Sequence, residues 1–140
     1  MTANTAELLA ELLAELPARV AQGAAALDQH FGPSWVDEIQ LERLDLREFD
    51  RCVIGQLSEI HSEKFYRVDQ YDELVKRLMN VVETSRFLAT QFEINHGFAL
   101  DFFELGPTIW EALTKAWVTL IRARRGEDES DAGLAAVATG

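Results

Sequence analysis

Between Leu46 and His61 the apolar residues Phe49, Val53, Leu57 and Ile60, with Cys52 and Ile54 beside them, recur at three- and four-residue spacing. That period puts them on one face of a helix, and such a face has to be covered. Arg47, Glu48, Asp50, Arg51 and Glu59 fall mostly on the other side, and Asp45 is placed to accept the first free amide hydrogens as an N-cap. The spacing predicts a two-sided helix from about Leu46, around which the rest of the chain folds. Gly55 stands in its middle, where glycine costs about 1 kcal/mol relative to alanine. Another helix or a ligand is therefore expected to come close there, with packing the ordinary reason. Cys52, one turn earlier on the same side, reads as a small hydrophobe, since no cation or base that would activate a thiol is evident beside it.

With 140 residues, 48% of them hydrophobic and eight Phe and three Trp among them, the chain can bury a core within one domain. One cysteine allows no intrachain disulfide and no cysteine-rich zinc site, which suits a reducing cytoplasm. No run of about 18 apolar residues is present, so no membrane span is expected. The N-terminus does not read as a signal peptide, because Glu7, Glu11 and Glu15 interrupt its leucines. The net charge is −11, of which Glu127, Asp128, Glu129 and Asp131 carry four units, leaving −7 for residues 1–125. That balance argues against direct binding to nucleic-acid phosphates and against anionic membranes, both of which need clustered Lys and Arg.

Residues 5–16 repeat Leu-Leu-Ala-Glu and stack Leu8, Leu12 and Leu16 beside Leu9 and Leu13. Every residue type there favours helix, Asn4 and Glu7 have capping-box spacing, and Pro17 is expected to kink or break the helix and open the next. A doubled leucine stripe serves either the domain's own core or a self-association surface formed by Leu8, Leu9, Leu12, Leu13 and Leu16. Residues 19–30 continue as an Ala-rich helix in which Gly23 suits a close contact, and Phe31-Gly32-Pro33-Ser34 stops it. Trp35, Val36 and Ile39 belong to a short turn, and Leu41, Leu44 and Leu46 to an extended or singly coiled piece.

Residues 62–71 read as a connection. Asp69 or Asp72 is placed to cap a helix through Leu74, Val75, Leu78, Val81, Val82, Ser85, Leu88 and Phe92, one helix or two divided at Asn80 or Thr84-Ser85, and ended by Asn95-His96-Gly97. Phe98, Leu100, Phe102 and Phe103 form an aromatic loop expected to lie on the core. Pro107 opens a last helix, with Thr108 placed to cap toward Glu111 and an apolar face of Trp110, Leu113, Trp117, Leu120 and Ile121. Arg122, Arg124 and Arg125 suit its negative end. The small and acidic residues from Gly126 onward read as a disordered tail. The expectation is an all-α protein, a compact orthogonal bundle of about five helices. Its divisions are a leucine-repeat helix at 1–16, a helical domain at 17–125 and an acidic tail at 126–140.

His30, His61 and His96 stand apart, with no His or Cys at metal-ligand spacing. No phosphate-cradling glycine loop, nucleophile elbow or basic helix-turn-helix pattern occurs, so neither metal, cofactor nor catalytic residues are expected. Three readings follow. The first is a non-enzymatic protein that binds a protein partner through a helical surface, with homo-oligomerisation, for instance as a homodimer, through residues 5–16. The second is an acidic decoy for a DNA-binding protein, built on Asp37, Glu38, Glu42, Asp45, Glu48 and Asp50, although Arg43, Arg47 and Arg51 interleave with them. The third is a small-ligand binder or enzyme with a pocket near Cys52 and Gly55.

Several blocks together resemble a group of small acidic accessory proteins of actinobacterial phages. They are Gly23-Ala24-Ala25-Ala26-Leu27-Asp28, Gly32-Pro33-Ser34-Trp35, Leu44-Asp45-Leu46, Cys52-Val53-Ile54-Gly55-Gln56-Leu57, His96-Gly97-Phe98, and Leu113-Thr114-Lys115-Ala116-Trp117 through Ile121-Arg122-Ala123-Arg124-Arg125. The resemblance spans about residues 19–125 and is most specific at Cys52–Leu57. It implies an accessory protein acting in the cytoplasm of a bacterial host and carries no activity with it. The leucine repeat and residues 62–80 depart from the group.

Overall fold

A computed structural model describes residues 3–100 and 107–127. Its longest element, α1 (Ala3–Phe31), continues unbroken past Pro17, where the sequence suggested a kink or a break. Proline leaves the Leu13 carbonyl without its helical donor. Pro17 and Leu13 both lie on the outer surface, so water can take that carbonyl and the helix continues. The boundary drawn between 16 and 17 thus falls inside one helix, and Asn4 lies within it rather than capping it.

After Gly32, whose φ is +81°, a 3-10 turn (Pro33–Glu38) buries Trp35 and Val36, and a second one covers Leu41–Arg43. Leu44 and Leu46 follow as buried residues of a loop, not of a strand. The central helix is shorter than its periodicity suggested: α2 is Val53–His61, and residues 45–52 are tight turns folded over its start. The backbone N–H of Glu48 donates to the Asp45 carbonyl at 3.1 Å, and those of Arg51 and Cys52 donate to the Glu48 carbonyl at 3.0 and 2.9 Å. The Asp45 side chain accepts from Arg47 N–H at 3.0 Å and so holds the turn, while the cap of α2 is Cys52, whose Sγ accepts from Gly55 N–H at 3.3 Å. Phe49, expected on the buried face, is 47% exposed, and Ile60 is also exposed. Every residue from Cys52 to Ser58 is buried, so the block with the thiol is indeed the interior one.

Helix α3 (Arg67–Met79) starts behind Tyr66, which makes no side-chain cap, so Asp69 and Asp72 are interior residues rather than caps. The long pattern from 74 to 92 is two helices. Asn80 turns left-handed at φ 62° and ends α3, and Ser85 Oγ accepts from Leu88 N–H at 3.2 Å to begin α4 (Arg86–Asn95). Val81, Val82 and Leu88, read as part of the apolar pattern, are exposed, the first two in the division and Leu88 in the first turn of α4. Gly97, with φ +75°, follows α4 and sends the chain inward, burying Phe98 and Leu100. Phe102 and Phe103 lie outside the described residues. Helix α5 (Pro107–Arg124) begins at Pro107, which places Thr108 inside it and not at its cap. Gly126 closes α5, its N–H donating to the Ala123 carbonyl at 3.1 Å and that of Glu127 to the Arg122 carbonyl at 2.7 Å. The tail assigned to 126–140 lies outside the described residues from Asp128 on.

The regular structure of the described residues is thus entirely helical, five α-helices and two 3-10 turns packed on one core. Trp117 lies at its centre, stacked on Phe98 with ring centroids 5.3 Å apart and edge-on to Trp35 at 6.1 Å. Its indole N–H donates to the Gly97 carbonyl at 2.7 Å. Gly23 lets α1 lie directly on this node, since a β-carbon there would collide with the His96 carbonyl and stand 2.9 Å from the Trp117 ring. The far ends of α1 and α5 are joined by Asp28, which accepts from Trp35 Nε1 and from Arg124, both at 2.8 Å. Arg125 donates to the Val36 carbonyl at 2.8 Å and to that of Ile39. Buried Gln56 bridges to both backbone groups of Gln40 and to the Arg51 carbonyl.

Candidate docking groove

The leucine repeat divides between two roles. Leu12 and Leu16 are core residues and Leu9 packs against the core, whereas Leu8 is 56% and Leu13 39% exposed. One helix cannot bury both flanks of a stripe this wide against a single neighbour. Leu13 instead forms a wall of a groove of about 650 Å³ between α1 and α5. Leu16, Pro17 and Val20 continue that wall on α1, and Ala112, Ala116, Leu120 and Ala123 face them from α5. The short alanines keep the groove open, because α5 turns its large residues, Leu113, Trp117 and Ile121, into the core one position away. The two charged residues on the groove are both cations, Lys115 and Arg124, in a chain that is otherwise strongly acidic. Arg124 is held by Asp28, while Lys115 is exposed and makes no ion pair among the described residues. The α5 side of the groove was missed in the sequence, although the spacing of Ala112, Ala116 and Ala123 beside the core stripe marks it.

Cys52 and Gly55 do not frame a pocket. The Cys52 thiol is fully enclosed, its Sγ between Gly55 N–H and the Phe49 carbonyl, and burial pushes its pKa up to about 12. The crevice beside Gly55 has no volume a water molecule could enter. What approaches Gly55 is the chain's own turn: a β-carbon there would overlap the Phe49 carbonyl and stand 2.9 Å from the Asp50 carbonyl carbon. A thiol held neutral and packed is a poor nucleophile and metal ligand. Among the described residues no group of three or more His, Cys, Asp or Glu is placed to hold a metal ion. His61 Nε2 lies 2.7 Å from Glu38, and His96 stacks on Phe92.

Three of the six acids proposed to imitate phosphates are paired with bases, which interrupts the row. Glu38 meets His61, Asp45 meets Arg47 at 3.6 Å and Asp50 meets Arg67 at 3.2 Å. A charged interior group went unnoticed in the sequence. Glu93 on α4 is only 8% exposed and accepts from the Tyr71 hydroxyl of α3 at 2.6 Å. No pattern in the sequence marks it, because its burial depends on α3 and α4 coming together.

Burial raises the Glu93 carboxyl above its usual range, and the Tyr71 hydrogen bond opposes that rise only in part. A carboxyl whose folded pKa exceeds its unfolded value of about 4.3 binds its proton more tightly when folded. Its contribution is complete below the unfolded pKa and is lost as pH rises through the folded one. Tyr71→Phe takes away a donor that the ionised carboxylate needs and the neutral acid needs less. We expect a loss of about 2 kcal/mol at pH 7 and under about 1 kcal/mol at pH 4, read by urea unfolding. Equal losses at both pH values would show that the ring's packing, not the carboxylate, responds.

No helix among the described residues is long and apolar enough to cross a membrane. Compared with protein-family models, with curated proteins and with solved structures, the chain matches none of them.

Proposed function

We propose that this chain is a non-enzymatic accessory protein that docks a helix of a partner protein into the groove between α1 and α5. The groove carries the reading: it is apolar and open, it follows Leu13 to Val20 of α1 and Ala112 to Arg124 of α5, and exposed Leu13 is available to pack on an amphipathic helix. Its two cations favour a partner helix with acidic flanks. The phage resemblance supplies the setting, a bacterial cytoplasm with a host or phage protein as partner. The enclosed thiol at Cys52 and the absence of any room beside Gly55 weigh against the ligand-binding alternative, and the paired acids weigh against the decoy.

Thr119 lines the groove and is exposed, so Thr119→Glu fills it and repels an acidic partner without touching the core. Binding of a fluorescent amphipathic peptide with a Leu/Ala stripe and Glu flanks is expected to weaken at least about tenfold in this variant, about 1.4 kcal/mol. The melting temperature should be unchanged. Equal anisotropy titrations for both proteins would place the docking surface elsewhere.

A further inference from the structure

We propose that the resting occupant of the groove is a second copy of this chain, related by a two-fold axis, with the two α1 helices antiparallel and Leu13 of each against the groove of the other. This rests on the groove being a docking surface and names what fills it when no other partner is present. A two-fold interface uses the same patch on both copies, so the patch must offer both a projection and a recess that receives it. Leu13 is such a projection and stands at the edge of such a recess. Around it the outer face of α1 is small, with Ala6, Ala10, Ala14 and Pro17 all exposed, and the α5 wall carries Ala112, Ala116 and Ala123 beside the larger Leu120. Small residues on both sides let helix axes approach closely enough for Leu13 to reach the floor.

Register adds charge complementarity. Gly23 stands against Trp117 and Asp28 against Arg124, so α1 and α5 run side by side in the same direction and Lys115 comes level with Val20. An antiparallel copy centred between Leu13 and Ala14 puts its Glu7 opposite Val20, and therefore beside Lys115. Glu7 and Lys115 are both exposed and have no ion-pair partner within the chain among the described residues. The two-fold axis makes this pair twice. For copies with a net charge of −11 each, general repulsion opposes association, and a register that seats acid on base is the one favoured.

The test is sedimentation equilibrium of the full chain from about 1 to about 300 μM at about 0.15 M salt, where general repulsion between copies is screened and close pairs are screened less. Wild type is expected to pass from the 15.8 kDa of one chain to twice that mass, and Leu13→Glu to shift this transition at least about a hundredfold in concentration. Glu7→Lys and Lys115→Glu are each expected to weaken it at least about tenfold, and an equimolar mixture of the two to restore it, because each then offers what the other lacks. Circular dichroism checks that the variants remain helical. A wild-type monomer over the whole range overturns the inference, and a mixture no more associated than its parts overturns the register. The peptide titration above reads the groove independently, so a monomer that still binds peptide refutes only the second copy as occupant.

Discussion

Replacing Trp117 by alanine is expected to cost about 4 kcal/mol, which for a domain of this size is close to unfolding it. Trp117 is entirely buried and meets α1 at Gly23, the post-α4 segment at Gly97 and Phe98, and the 3-10 turn at Trp35. Truncation removes one of the two largest side chains in the core, the other being Trp35, and leaves a cavity between elements that cannot each move inward. It also leaves the Gly97 carbonyl without its donor. Trp117→Phe separates these contributions: it retains much of the stacking on Phe98 and loses the hydrogen bond, so about 2 kcal/mol is expected. Urea unfolding followed by circular dichroism measures both. A loss below about 1 kcal/mol for the alanine variant would show that the three elements do not depend on this contact.

Gly55→Ala should lose about 3 kcal/mol, although the same change in an ordinary helix interior gains about 1 kcal/mol. The sign reverses because the added methyl would occupy the space of the Phe49 carbonyl, and backbone cannot rotate away as a flexible side chain can. The turns of residues 45–52 would have to lift off α2. With them would go the Cys52 cap on Gly55 and the Gln56 contacts to Gln40 and Arg51. Thermal unfolding read against Gly55→Ser, which adds nearly the same clash, tests the cause. Both variants should fall together, and a stable Gly55→Ala would mean that the turn is not held where it lies.

These two positions show how far the residues speak for themselves. Trp117 belongs to a stripe with Leu113 and Ile121 that announces a helix and its buried side. Gly55 announces only that something comes close, and the segment that does so is the turn just before it, whose own apolar spacing looked helical. Phe49 fits the period of Val53 and Leu57 yet stands outside, because Cys52 starts the helix after it. Periodicity is blind to where a helix begins when the cap is a thiol, a weak acceptor that few helices use. Asn80 and Ser85, by contrast, each carry a local device, a left-handed turn and a side-chain cap, so the division between α3 and α4 was visible among the alternatives.

The sequence by itself determined the class of the fold and most of its interior. Three- and four-residue spacing of large apolar side chains is a local property, and burying them together is the dominant gain for any chain that carries it. Only the tertiary structure decided which leucines of the repeat go inside, that Pro17 is tolerated, that Glu93 is enclosed against Tyr71, and that α1 and α5 leave a groove between them. Each of these depends on which neighbour arrives on which side. That is a matter of packing between segments far apart in the chain, and no spacing within one segment encodes it.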